Sequence, residues 1–323
     1  MQDFKRLGAR ECAERLLSLE RPAVVMHIRP DGDTVGSGAA LMHILTSIGK
    51  SPVYLCAHKI PDRLAFITEG LTKAPDAENY FDYDAVAIDV ASPAQLGELD
   101  GRITPKLMID HHEVGSPFAD NYVIGGASSA GEVLFTVAEE LIKMGALEMN
   151  LKIASAIYTA MCSDTGGFVF SNTSPTTLRR AADLMESGVD NAHINHKLFH
   201  SKSEEQIRAE GFTASKIKTA LGGRIAYAVI SKQDRESLSL EPQHFETAID
   251  IVRSLLGAEI AFVIKEGDSG EYKASLRSVG ANVAEIAKKF SGGGHIRASG
   301  CSVSAGSIDE AASLLLCEVE RAF

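Results

Sequence analysis

Short apolar runs alternate with longer stretches of helical periodicity through the first half of the chain, and this alternation constrains the fold more than any other feature. The runs cover 22–28, 52–56, 84–89 and 106–110. Their length and character are typical of strands buried in a parallel sheet. Helices are predicted at about 37–49, 129–144, 151–162 and 175–187. The first half is therefore predicted to be an α/β domain with a doubly wound, mostly parallel sheet.

The pattern changes after about residue 190. Residues 191–205 have little apolar periodicity and are predicted to be a linker with some helix. Beyond them, strands are predicted at 224–230, 259–265, 271–278 and 299–304, and helices at 242–256, at 282–290 and after Ser307. We therefore expect a first domain at 1–190, a linker at 191–205 and a smaller α+β domain at 206–323, with a cleft between the two domains.

Composition narrows the class of ligand. The net charge is −11 over 323 residues, with almost all of the excess acid in the first 200. A protein that binds long nucleic acid normally has a basic face, so either the ligand is small or cations supply positive charge. A role in solubility alone is the alternative explanation of the acidity. The five cysteines are scattered and never spaced as CxxC, which favours reduced thiols in the cytoplasm. No signal peptide and no membrane span are expected.

Acidic and imidazole side chains follow three of the predicted strands, and one more acid follows a predicted helix. They are His27, Asp31, Asp33, Asp89, Asp110, His111, His112 and Asp164. An aspartate after a strand is usually a turn or cap residue. The carboxyl ends of parallel strands share one edge, however, and so many of these groups there would repel one another without cations. Carboxylate and imidazole without thiolate suit Mn²⁺ or Mg²⁺, and the histidines favour Mn²⁺.

Two glycine-rich stretches are candidates for phosphate loops. The first, Gly36-Ser37-Gly38, lacks the lysine of a P-loop and the third glycine of a dinucleotide fingerprint, so helix packing is the better interpretation. The second places Gly292, Gly293 and Gly294 directly before His295. Its backbone N–H groups could approach an anion closely, and several lysines and arginines lie nearby in sequence. A flexible loop is the alternative.

The order of these motifs resembles that of the DHH phosphoesterase superfamily. The resemblance rests on HxxxDxD from His27, then Asp89, the triplet from Asp110 to His112, Asp164, and GGGH ending at His295. It covers nearly the whole chain, and the length and the GGGH motif resemble the NrnA type. This resemblance implies that the chain hydrolyses very short oligoribonucleotides, two to five nucleotides long, to mononucleotides. It also implies hydrolysis of 3′-phosphoadenosine 5′-phosphate (pAp) to AMP.

The resemblance implies a role for each motif residue. Two divalent cations, preferably Mn²⁺, would be held by His27 and Asp31 at one position and by Asp33, His111 and Asp164 at the other, with Asp89 bridging them. Asp110 would orient a ligand histidine, and His112 would contact the scissile phosphate. The second domain would bind the rest of the substrate through Arg277, Ser278, Gly292, Gly293, Gly294 and His295. Ser291 stands where family members often have a first glycine, which narrows the backbone freedom there.

The resemblance implies a mechanism in which two metal ions would activate a bridging hydroxide to attack phosphorus. His112 would stabilise the charge that develops on the phosphoryl oxygens. A second domain that closes over the cleft would limit substrate length, and short substrates need few cationic contacts. The alternatives are a phosphodiesterase for linear dinucleotides such as pApA, a RecJ-like exonuclease, a pyrophosphatase or polyphosphatase, and a non-catalytic nucleotide sensor. Short RNA, dinucleotides and pAp are the expected partners, and both monomer and homodimer remain open.

Overall fold

The computed structural model describes residues 4–113 and 115–323. The chain divides into two compact units, Met1–Ser201 and Lys202–Phe323. The division lies inside the segment 191–205 that the sequence predicts to be a linker. Residues 191–200 of that segment are helical, and Ile194 is buried in the core of the first unit. This part of the predicted linker is therefore an element of the first unit.

Within the described residues, the first unit contains five parallel strands in the order β2-β1-β3-β4-β5. They are β1 (Pro22–Met26), β2 (Val53–Cys56), β3 (Asp84–Ile88), β4 (Pro105–Asp110) and β5 (Asp120–Val123). The order reverses between β1 and β3, and open α/β sheets bind ligands at such a switch point, beyond the carboxyl ends of the strands. The predicted doubly wound parallel sheet is confirmed, and β5 is an addition to it.

A 3₁₀ segment at Pro93–Leu99 contributes to the core on one face of this sheet, and the α-helices of the described residues cover the other face. They are α1 (Ala9–Ser18), α2 (Gly32–Ser47), α3 (Ala65–Thr68), α4 (Ala130–Lys143), α5 (Leu151–Asp164), α6 (Pro175–Glu186) and α7 (Asn191–Asn195), followed by a π-helical turn at His196–His200. Helix α2 packs so closely on α5 that a Cβ added to Gly36 would lie only 2.8 Å from the backbone N of Ala160. Gly36 therefore serves helix packing, and this contact places the first turn of α2 beside the end of α5.

The second unit is built on a mixed sheet in the order β10-β11-β9-β8-β7-β6. Its strands are β6 (Lys218–Ala220), β7 (Ile225–Ile230), β8 (Ile260–Glu266), β9 (Tyr272–Ser278), β10 (Gly293–His295) and β11 (Ala298–Val303). Its helices are α8 (Glu204–Ser215), α9 (Lys232–Ser237), α10 (Ala248–Arg253), α11 (Val283–Lys288) and α12 (Ile308–Glu320). Only β7 and β8 pair in parallel, so the predicted α+β class is confirmed.

Two local predictions in this unit were wrong. The helix predicted at 242–256 is a 3₁₀ turn at Pro242–Phe245 followed by the shorter α10. The interruption allows both Phe245 and Ile249 to be buried in one core. The flexible loop given as the alternative for the glycine-rich stretch is also wrong, because Gly293–His295 forms strand β10, which pairs with β11. Among the described residues, no helix has the length and apolarity needed to cross a membrane.

Candidate metal centre

The turn between β1 and α2 fixes the first group of polar side chains. Asp31 is the N-cap of α2, and its carboxylate accepts hydrogen bonds from the N–H groups of Asp33 and Thr34, both at 3.1 Å. The Nδ1 of His27 lies 2.7 Å from the carbonyl oxygen of Ile28, so this nitrogen carries the proton that it donates. The opposite nitrogen, Nε2, then lies 3.7 Å from Asp31 and 3.5 Å from Asp89.

Asp89 follows β3 and lies between two imidazoles. Its Oδ2 is 3.5 Å from Nε2 of His27, and its Oδ1 is 3.6 Å from Nε2 of His111. The side chain is 3% exposed, and within the described part of the chain Oδ1 accepts no hydrogen bond. Its backbone has a φ of 57°, in the left-handed region, and its N–H donates to Ile109. A strained backbone and an unsatisfied buried oxygen both indicate a functional constraint here.

The end of β4 presents Asp110, His111 and His112. Asp110 Oδ1 lies 2.7 Å from Nδ1 of His112 and accepts the backbone N–H of His111 at 2.8 Å. The resemblance implies that Asp110 orients a ligand histidine, but the ring that the Asp110 carboxylate contacts is that of His112. The Nδ1 of His111 instead lies 3.1 Å from the carbonyl oxygen of Ala127. The two adjacent histidines are therefore held by different partners.

Asp33 and Asp164 approach His111 from the ends of two helices. The carboxylate of Asp33 accepts the N–H groups of Ala130 and Gly131, at 2.8 and 3.2 Å, at the N-terminus of α4. A helix N-terminus favours a carboxylate there. Asp164 is the last residue of α5. From Nε2 of His111, Asp33 lies at 3.5 Å and Asp164 at 4.0 Å.

Among the described residues there are three sets of side chains in which all the ligand atoms of one set lie within 4.8 Å of one another. The sets are His27, Asp31 and Asp89; Asp33, His111 and Asp164; and Asp89, Asp110, His111 and His112. All six residues predicted as metal ligands belong to these sets. The structure therefore brings together every residue that the sequence assigned to the metal site.

The electrostatics of the cluster favour the binding of positive charge. Burial raises the pKa of Asp33 well above its usual range, and the carboxylates of Asp89 and Asp164 raise it further. Burial also raises the pKa of Asp164, to about 7. Burial lowers the pKa of His112, but the carboxylate of Asp110, together with those of Asp89 and Asp164, outweighs burial and raises the pKa to about 9. Crowded buried carboxylates, beside the unsatisfied oxygens of Asp89 and Asp110, fit divalent cations.

The predicted substrate residues of the second unit lie on adjoining strands. Ala298 in β11 pairs with Arg277 on one side and with His295 on the other. Directly paired residues share one face of a sheet, so the guanidinium and imidazole groups belong to the same face. Ser278 is the last residue of β9, Gly292 directly precedes β10, and Gly293 and Gly294 lie within β10. The arrangement gathers cationic and backbone donors at one edge of this sheet.

Two family models match the chain. The DHH family, N-terminal domain, matches residues 22–162, and the DHHA1 domain matches residues 214–320. The chain thus carries a DHH-family N-terminal domain followed by a DHHA1 domain. The match to the DHH domain includes all the predicted metal ligands except Asp164, which lies two residues beyond it. The family that the motifs predicted is thus confirmed.

Named relatives align with this chain over most of its length. The bifunctional oligoribonuclease and PAP phosphatase NrnA of Thermus thermophilus is 28% identical over 93% of this chain and 89% of the relative. The protein of the same name from Bacillus subtilis is 27% identical over 90% of each chain. The crystal structure of an exopolyphosphatase-related protein from Bacteroides fragilis has a TM-score of 0.86 at 24% identity, covering 97% of this chain and 96% of that one. The likeness to that structure shows the fold alone.

The DHHA1 domain carries a strained residue at its GGGH motif. Ser291 has a φ of 55°, in the region that favours glycine. We expect Ser291→Gly to stabilise the chain by about 0.5–1 kcal/mol, because the relief of strain exceeds the entropic cost of glycine. Urea unfolding followed by circular dichroism measures the change. Ser302→Gly, at an exposed position of β11, is the control and should destabilise the chain, whereas a destabilised Ser291→Gly would contradict the argument.

Two residues beside the candidate site, Glu132 and Asn172, were not predicted from the sequence. Asn172 donates to the backbone oxygens of Ser128 and Asp164, and no motif marks it in the sequence. Glu132 could have been noticed in the sequence, because Ser129 and Glu132 form the S-x-x-E pattern that predicts a capping box at a helix N-terminus. In the structure Ser129 caps α4, but the carboxylate of Glu132 accepts the N–H of Ser128.

Proposed function

We propose that this chain is a divalent-metal-dependent phosphoesterase that hydrolyses very short oligoribonucleotides to mononucleotides and pAp to AMP. The observation that carries the proposal is the position of Asp89, whose two oxygens face His27 and His111 beyond the carboxyl ends of the parallel strands. The names of the Thermus and Bacillus relatives, which align over about nine-tenths of this chain, support the substrate class.

The proposed centre holds two cations, preferably Mn²⁺ because imidazoles stand among the carboxylates. His27 and Asp31 would hold one, Asp33, His111 and Asp164 would hold the other, and Asp89 would be shared between them. When bound, the cations supply Lewis-acid charge that stabilises an anionic phosphoryl group and favours the ionisation of water. The chain's part is to hold these donors in place, which the capped turn at Asp31 and the N-terminus of α4 at Asp33 both do.

His112 is assigned to the scissile phosphate. The hydrogen bond from its Nδ1 to Asp110, at 2.7 Å, holds the ring at a fixed angle beside Asp89. A ring fixed in this way can stabilise charge that develops on a phosphoryl oxygen without reorganising during the reaction. Asp110 is thus proposed to position His112 rather than a ligand of the metal.

The DHHA1 domain is proposed to bind the remainder of the substrate. Arg277 and His295 share one sheet face and would contact a second phosphate, with Ser278 and the N–H groups of the three glycines beside them. Small nucleotides suit a chain with a net charge of −11, because they require no long basic surface. The five cysteines are free thiols, which supports the cytoplasm as the proposed location.

The proposal predicts chelator-sensitive cleavage of small nucleotides. The purified chain is incubated with Mn²⁺ and separately with pApA, pAp, pyrophosphate or a long RNA, with and without EDTA. We expect pApA and pAp to be hydrolysed and the long RNA to react at least about tenfold more slowly, because the chain offers few cationic contacts along a strand. Cleavage of pyrophosphate alone would contradict the substrate class while leaving a metal-dependent centre in place.

A further inference from the structure

A short segment, residues 127–131, contacts the donors of one half of the proposed centre. The carbonyl oxygen of Ala127 lies 3.1 Å from Nδ1 of His111. The N–H groups of Ala130 and Gly131 donate to the carboxylate of Asp33 at 2.8 and 3.2 Å. This segment, which we call the organising segment, therefore holds two of the three donors assigned to the second cation.

Asn172 connects the third donor to the same segment. Its Nδ2 donates to the carbonyl oxygen of Ser128 at 3.0 Å and to that of Asp164 at 3.1 Å. The same nitrogen lies 3.5 Å from Oδ2 of the Asp164 carboxylate. Three oxygens surround this nitrogen, so the amide is held with its NH₂ group toward them. Asn172 thus joins the C-terminal end of α5, where Asp164 lies, to the segment that holds Asp33 and His111.

The buried carboxylate of Glu132 connects the organising segment to helix α6. Its carboxylate accepts the N–H of Ser128 at 2.8 Å, the hydroxyl of Thr177 at 3.0 Å and the guanidinium of Arg180 at 2.8 Å. The residue is 2% exposed. Burial would raise the pKa of Glu132, but these partners together lower it, so the group stays ionised at neutral pH. A buried carboxylate with this many donors gives the segment one fixed conformation.

We propose that Asn172 is a positioning residue that sets the affinity of one of the two cation positions, the one at Asp33, His111 and Asp164. The inference rests on the proposed two-cation centre. The other position has its own support, because Asp31 is held by the first turn of α2 and His27 by the carbonyl oxygen of Ile28. Loss of the Asn172 amide should therefore weaken one position and spare the other.

The test is a titration with Mn²⁺, followed by calorimetry and by electron paramagnetic resonance of the unbound ion. In Asn172→Ala we expect one of two binding steps to weaken by about 10–100-fold, the range typical of residues that orient metal ligands. Asn121→Ala is the matched control: Asn121 is buried in the same unit, but its amide donates to the backbone oxygen of Ala119. It should leave both steps unchanged.

Two double variants show which cation position the weakened binding step belongs to. In Asp31→Asn, which keeps a good N-cap, Asn172→Ala should still weaken the remaining step. In Asp164→Asn, which removes a ligand of the affected position, adding Asn172→Ala should not weaken the remaining Mn²⁺ binding step further. Two unaltered steps in Asn172→Ala, or equal weakening of both, would overturn the inference alone. A parent chain that binds no Mn²⁺ would overturn the proposed function and the inference together.

Discussion

Replacing Asp89 by asparagine is expected to slow the hydrolysis of pAp by at least about 1,000-fold, because the shared donor of both cation positions loses its charge. Metal-ion catalysis contributes several kcal/mol to such reactions, and each 1.4 kcal/mol is a factor of about ten. Asparagine is the right substitution, since it tolerates the left-handed backbone with a φ of 57° that alanine would strain. Turnover of pAp at saturating Mn²⁺ measures the effect.

The thermal stability of Asp89→Asn should not fall with its turnover. This difference separates a catalytic role of Asp89 from a structural one. Without metal, Asp89 is one of the carboxylates that raise the pKa of Asp33 and of Asp164. Asp89→Asn should therefore melt at the same or a higher temperature than the parent in EDTA. Near-normal turnover in this variant would be incompatible with the assignment of Asp89 to two cations.

Asp84→Asn is the matched control, because Asp84 lies at the opposite end of the same strand, β3. Burial raises the pKa of Asp84, but Lys106 and the N–H groups of Arg21 and Glu20 outweigh burial and lower it to about 2. The ionised group therefore stabilises the fold at neutral pH, and its loss should cost about 1–2 kcal/mol. Its turnover should stay within about twofold of the parent, since such sheets bind ligands at the carboxyl ends of their strands and Asp84 begins β3.

Much of the DHH domain could be predicted because its strands are buried on both faces. Continuous apolar runs such as the one in β1 have few alternatives to a buried strand, and their carboxyl ends must meet at one edge. The convergence of Asp89 and His111 followed from that rule alone. Strand β5 escaped prediction, because Asp120 and Asn121 at its start are polar and the strand forms through pairing with β4.

The parts that could not be predicted depend on contacts distant in sequence. Asn172 meets Ser128 across 44 positions, and neither residue belongs to a local pattern. Gly293 and Gly294 have low strand propensity, so the sequence indicated a loop, yet pairing with β11 outweighs that preference. Propensity is a local quantity, whereas the sheet edge and the organising segment are held by partners elsewhere in the chain.

Substitution of Gly292 by alanine is expected to destabilise the DHHA1 domain by about 3 kcal/mol, whereas the same change at Gly293 should leave its stability within about 0.5 kcal/mol. A Cβ on Gly292 would lie 2.2 Å from the carbonyl oxygen of Gly300 and 2.4 Å from Cβ of Cys301. Both atoms belong to β11, so the strands must separate to admit a methyl group. A Cβ on Gly293 meets no atom within 4 Å among the described residues.

The two variants also separate folding from substrate binding. If the backbone of β10 approaches a phosphate as proposed, the methyl of Gly293→Ala occupies that space, and KM for pAp should rise about tenfold with kcat little changed. The chain contains no tryptophan, so urea unfolding is followed by circular dichroism, and hydrogen exchange assigns the loss in Gly292→Ala to residues 202–323. An unchanged KM in Gly293→Ala would remove the glycine backbone from the substrate site, while unchanged stability in Gly292→Ala would mean that the close approach of β10 to β11 is not required by the fold.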